Sequence, residues 1–138
     1  MIDLDNHTSY DIDTTILENI TQTLTDKELE LIIVNNDEIQ ELNLQHRQKD
    51  SATDVLSFPL EQSPFMPLGS IVISIDYVEQ KAKEYNHSAQ DEFTLLYIHG
   101  LLHLLGFDHE IDAGEHRSKE EKLIKKFNLP NSLIVRNS

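Results

Sequence analysis

Three histidines, His99, His103 and His109, interrupt the stretch LLYIHGLLHLLGFDHE at residues 95–110, whose leucines and isoleucine are the material of a buried helix. On such a helix His99 and His103 lie about 40° apart around the axis and about 6 Å apart along it, so both imidazoles can aim at one point. Tetrahedral zinc needs its ligand nitrogens roughly 3.3 Å apart, which such a pair can reach. Gly106 permits a sharp turn, and Phe107-Asp108-His109 can bring the third imidazole back to the same point. Three histidine ligands leave a fourth position open, as in catalytic rather than structural zinc sites. The bland alternative is a set of ordinary core or surface histidines. A lone histidine would fit it, but several unpaired imidazoles beside a leucine face would be costly, and a metal offsets that cost.

One residue type is missing. Zinc peptidases with an H-E-x-x-H helix carry their general base immediately after the first histidine, and here that position is Gly100. Asp108, next to His109, suits two roles equally: orienting a ligand from behind, or stabilising the turn after Gly106.

The chain that must position these groups has 138 residues, which suits one domain with a single core over 1–138. No apolar run reaches the ~18 residues of a membrane span, and the acidic start MIDLDNHTSYDID lacks a secretory pattern. A cytoplasmic protein without a membrane partner is therefore expected. The absence of cysteine removes disulfides and thiolate metal sites and leaves His, Asp and Glu as ligands. The net charge of −14 argues against a generic polyanion binder. It is unevenly spread: residues 1–41 hold eleven acids and one base, Lys27, while Arg47, Lys49, Lys81, Lys83 and most other bases come later.

Periodicity supplies the frame. MIDLDN suits a short edge strand, and DIDTTILENITQTL places Ile12, Ile16, Ile20 and Leu24 at helical steps. Residues 28–34 read as a buried strand. NDEIQELNLQH follows as a helix capped by Asn35 or Asn36, with Asp37 and Glu38 at its positive end. HRQKDSATD is a polar loop, residues 55–58 a strand stopped by Pro59, residues 69–75 a second buried strand, and 76–85 a helix. Ser88 and Asp91 form a capping box for the histidine helix, and Gly106 ends it. A last helix near 112–127 carries Glu115/Lys119 and Glu121/Lys125 pairs. The expected fold is α+β, a small mixed β-sheet packed with helices, among them the long His-bearing one.

HGLLHLLGFDH resembles the signature of the YbeY family of bacterial single-strand-specific metallo-endoribonucleases. HRQKDSATDVLSFP, residues 46–59, resembles that family's Arg-x-Lys-Asp loop and following strand, and LGSIVIS at 68–74 fits more loosely. The resemblance is strong over 46–110 and general elsewhere. It implies a zincin-like metal-dependent hydrolase fold and one Zn(2+) per chain on His99, His103 and His109. It further implies single-stranded RNA as substrate, a role in maturing the 3′ end of 16S rRNA and in ribosome quality control, and Arg47 as a functional residue. Two positions depart from the family: Ser70 stands where it usually has Asp, and His116-Arg117 where it tends to be acidic and apolar.

The chemistry expected on these residues is metal-assisted phosphodiester cleavage, the ion lowering the pKa of a water toward ~7 and polarising a phosphoryl oxygen. Arg47 would hold the phosphoryl oxygens as the catalytic partner in the protein chain. Lys49 reads better as a solvated loop residue, Thr53 and Asp54 as loop caps, and Tyr97 as packing. His46 and His87 read as surface residues, and His7 and His116 have no context favouring function. The attacking group, metal-activated water or the RNA's own 2′-hydroxyl, is left open. Two competing functions are a metallopeptidase with an unusual base and a metal-stabilised, non-enzymatic ribosome-assembly factor. The acidic charge suits basic ribosomal or ribosome-associated protein partners, and DNA is not expected.

Overall fold

The computed structural model describes residues 1–60, 65–107 and 114–130. Alternation along the strands decides which helix covers which side of the sheet. The strands are β1 (Ile2–Asn6), β2 (Leu29–Val34), β3 (Val55–Pro59) and β4 (Gly69–Ser74), and the helices α1 (Thr15–Leu24), α2 (Asn36–Arg47), α3 (Ile75–Tyr85), α4 (Ala89–Leu104) and α5 (Glu115–Lys126). Their sequence along the chain is the expected one, and the fold is α+β.

The sheet order is β1-β2-β4-β3, with β1, β2 and β4 parallel and β3 antiparallel on the far edge. Successive side chains point to opposite faces. Leu29, Leu31, Ile33, Ile71 and Ile73 therefore face one side, where they pack with Leu17 and Ile20 of α1 and with Phe93, Tyr97 and Leu101 of α4. Val34, Val72 and Leu56 face the other, covered by Ile39 of α2. Burying both faces explains why β2 and β4 read as continuous apolar runs.

Boundaries move by a few residues. Ile75 opens α3 instead of closing the preceding strand, and α1 begins only at Thr15. Ile12 is buried ahead of α1, and Asp13 Oδ1 accepts the Thr15 N–H at 2.9 Å. Residues 112 and 113 of the expected last helix, like His109 and Asp108, lie outside the described residues.

α4 is the central element. Every residue from Glu92 to Leu104 is buried except His99 and His103. Ser88 caps its start, accepting the Asp91 N–H at 3.0 Å. Gly106, at φ +99°, ends it: its own N–H reaches the His103 carbonyl, and the Phe107 N–H reaches that of Leu102. These are the two bonds of a Schellman cap. Among the described residues no helix is long and apolar enough to cross a membrane.

At the opposite sheet edge, His7 ties β1 to α2. Its Nδ1 lies 2.6 Å from Glu38 and its Nε2 2.9 Å from Asp5. Hydrogen bonds to Asp5 and then Glu38 raise its pKa above the ordinary 6.5. A raised folded value means that the stabilisation is complete below the ordinary pKa and is lost as pH climbs through the folded one. Thermal melts of wild type against His7→Gln should differ near ~pH 5 and converge by ~pH 9. The gap should be about 1 kcal/mol at most, because the pair is exposed.

Candidate metal centre and cleft

The two exceptions to the burial of α4 face a single cleft of about 850 Å3 along edge strand β3. His99 Nε2 and His103 Nε2 lie 3.2 Å apart, close to the roughly 3.3 Å separating two ligands of a tetrahedral zinc. Arg47, at the end of α2, lines the same cleft, as do Thr53, Asp54 and Ser57. The two helical imidazoles thus converge, and Arg47 shares their cleft. Lys49 is exposed and does not line the cleft. His109 lies outside the described residues.

A third imidazole joins the pair from α5. His116 is 1% exposed, and its ring centroid lies 4.6 Å from that of His99 and 4.8 Å from that of His103. One nitrogen from each of His99, His103 and His116 falls within 4.8 Å of the others, so these residues could hold a metal ion. His116 has no sequence context that favours function, and it is the packing of α5 on α4 that brings it to the pair.

Beneath the rings sits Glu120, its side chain 1% exposed. Its Oε1 is 2.8 Å from His99 Nδ1 and 3.1 Å from His116 Nδ1. Burial opposes ionisation of Glu120, but the hydrogen bonds from His116 and His99 outweigh it and hold the carboxyl below its usual range. An ionised acceptor at Nδ1 puts the His99 proton there and leaves the Nε2 lone pair for the cleft. His116 Nε2 lies 3.4 Å from the His99 carbonyl oxygen, so both nitrogens of that ring face oxygen acceptors.

Sequence reading missed Glu120 and His116, although a signal existed. Leu123 and Ile124 are the buried apolar residues of α5, and their stripe runs back at helical spacing to Glu120 and His116. Polar residues on a core-facing stripe are the anomaly to look for.

Tyr97 packs as expected, buried with its hydroxyl 2.7 Å from Thr21 Oγ1. Asp54 acts locally, accepting the Val55 N–H at 2.8 Å. Ser70 Oγ donates to Glu30 across the sheet at 3.0 Å. His46 is exposed at the cleft. His87, expected at the surface, instead has a side chain 3% exposed and bonded to buried Glu92 at 2.6 Å. Gly100 faces the sheet: a Cβ there would lie 2.9 Å from Ile71 Cγ2 and 3.3 Å from Ser57 Oγ. A glutamate at that position would be driven into the core.

The family model described as Endoribonuclease YbeY matches residues 3–128. A protein of Aliarcobacter butzleri named Endoribonuclease YbeY is 68% identical, with all of both chains covered. One of the same name from Nautilia profundicola is 63% identical over 99% of each chain. A solution structure of a Thermotoga maritima protein superposes with a TM-score of 0.64 at 31% identity, covering 96% of this chain and 89% of that one. A match across nearly the whole length, joined to paired imidazoles and an arginine in one cleft, places the chain in the endoribonuclease YbeY family.

Proposed function

We propose that residues 1–138 form one zinc-dependent, single-strand-specific endoribonuclease domain of zincin-like fold. The observation that carries this reading is the 3.2 Å approach of His99 Nε2 to His103 Nε2 in the cleft that Arg47 lines. His99, His103 and His109 would hold one zinc ion, His109 lying outside the described residues. His116, whose two ring nitrogens face Glu120 and the His99 carbonyl, would support the ligands rather than hold the ion itself. The bound ion supplies Lewis-acid activation of water and of a phosphoryl oxygen. Arg47 donates two hydrogen bonds to the phosphoryl oxygens as charge gathers on them. Glu120 keeps His99 in the tautomer that presents Nε2.

The biological setting follows the family: maturation of the 3′ end of 16S rRNA and ribosome quality control, in the cytoplasm. A charge of −14 suits basic ribosomal or ribosome-associated proteins as partners. The metallopeptidase alternative loses support because Gly100 leaves no room for the missing base. Purified protein should contain about one zinc per chain and cleave single-stranded RNA. Chelation should abolish cleavage and added zinc restore it, and cleavage that survives complete metal removal refutes the mechanism.

A further inference from the structure

The cleft offers a polyanion little positive charge. Arg47 is the sole Lys or Arg among its described lining residues, in a chain carrying −14. Phosphate attraction alone therefore holds RNA weakly. The other binding material is aromatic. His46, in the last turn of α2, and Phe58, on β3, meet with ring centroids 4.9 Å apart and planes tilted by 58°. Both line the cleft; His46 is exposed and Phe58 half-buried. Backbone structure fixes both. Gln48, left-handed at φ 57°, ends α2 directly after Arg47, and Phe58 pairs with Ser70 in the β3–β4 ladder.

We propose that His46 and Phe58 form a nucleobase-stacking subsite beside the phosphate that Arg47 holds, and that stacking there makes the cleft select unpaired RNA. The inference rests on the ribonuclease reading above. Aromatic stacking contributes about 1–3 kcal/mol per base and tolerates any base, because every base has a π-face. Bases inside a duplex are covered on both faces by their neighbours, so only an unpaired nucleotide can reach such a platform. The subsite thus supplies affinity that the charge of the chain withholds.

The test uses the full chain in EDTA, which stops cleavage, titrated into a single-stranded oligoribonucleotide carrying 2-aminopurine. Binding should quench the fluorophore. His46→Ala and Phe58→Leu should each weaken binding about 5- to 100-fold, while His46→Tyr restores it, separating stacking from proton transfer. A duplex of the same sequence should bind no better than the single strand binds to His46→Ala. Thermal melts check each variant; should Phe58→Leu fail to fold, the two His46 variants decide. Unchanged affinity in His46→Ala, or equal binding of duplex and single strand, overturns the subsite. Stacking-dependent binding without cleavage by metal-loaded wild type supports the subsite while refuting the ribonuclease reading.

Discussion

His103→Ala should abolish zinc retention and lower RNA cleavage by at least ~10³-fold, with the chain still folded. An ion held there would stabilise transition-state charge by several kcal/mol, and each 1.36 kcal/mol is about tenfold in rate. Removing one of two Nε2 atoms 3.2 Å apart leaves His99 without its neighbour on the helix. The fold should survive because His103, unlike its neighbours, is only half-buried in α4. Substitutions away from the core cost little, within about 1 kcal/mol. Zinc content, far-UV circular dichroism and single-strand cleavage measured together decide it. A variant that unfolds would make the ion a structural element and favour the non-enzymatic assembly role. A variant that cleaves normally would remove the metal from the reaction. Under the proposed ligand set, His116→Ala serves as the contrast: its loss should leave about one zinc per chain and His109→Ala should behave like His103→Ala, whereas zinc lost with His116 would make His99, His103 and His116 the ligands.

Local rules made much of this molecule legible. The 2-residue and 3.6-residue periods carry the order of all nine described elements, because each reports a face that has to be buried. The histidine pair was legible for the same reason: i,i+4 spacing on one helix is a geometric statement that needs no tertiary knowledge. Gly106 and the Ser88–Asp91 pair are likewise local. What stayed hidden depends on which helices meet. His116 and Glu120 lie 17 and 21 residues from His99, and only the docking of α5 on α4 joins them. His87 misled differently. It follows a left-handed turn at Asn86 in a polar stretch, so it reads as exposed. Glu92 on the first turns of α4 pulls it inward, and a buried His–Glu pair has no sequence period to announce it. Arg47 occupies the middle ground: a solvated loop residue by composition, a cleft residue only because α2 continues through it to Gln48.

Glu120→Gln should weaken zinc affinity by about 10- to 100-fold while retaining a stoichiometry of about one at saturation, the loss typical when a partner behind a ligating histidine is removed. The carboxylate is buried and accepts from His99 Nδ1 at 2.8 Å and His116 Nδ1 at 3.1 Å. As an anion it accepts from His99 Nδ1, which fixes that proton there and leaves Nε2 facing the cleft. Glutamine is nearly isosteric but neutral, and its amide nitrogen must occupy a buried oxygen position. That position, Glu120 Oε2, has no hydrogen-bond partner among the described residues, so the new N–H groups would find no acceptor there. If the amide instead flips, its N–H faces His99 Nδ1 at the Oε1 position, and the His99 proton must shift to Nε2, where it competes directly with the metal. Competition against a chromophoric chelator measures the affinity, and Glu121→Gln makes the same charge change one residue away, off the buried stripe of α5. Affinity unchanged in Glu120→Gln, or lowered equally in Glu121→Gln, would show that the carboxylate acts only through bulk charge or packing. A selective loss would establish that α5, through one buried acid, sets the orientation of the histidine on α4.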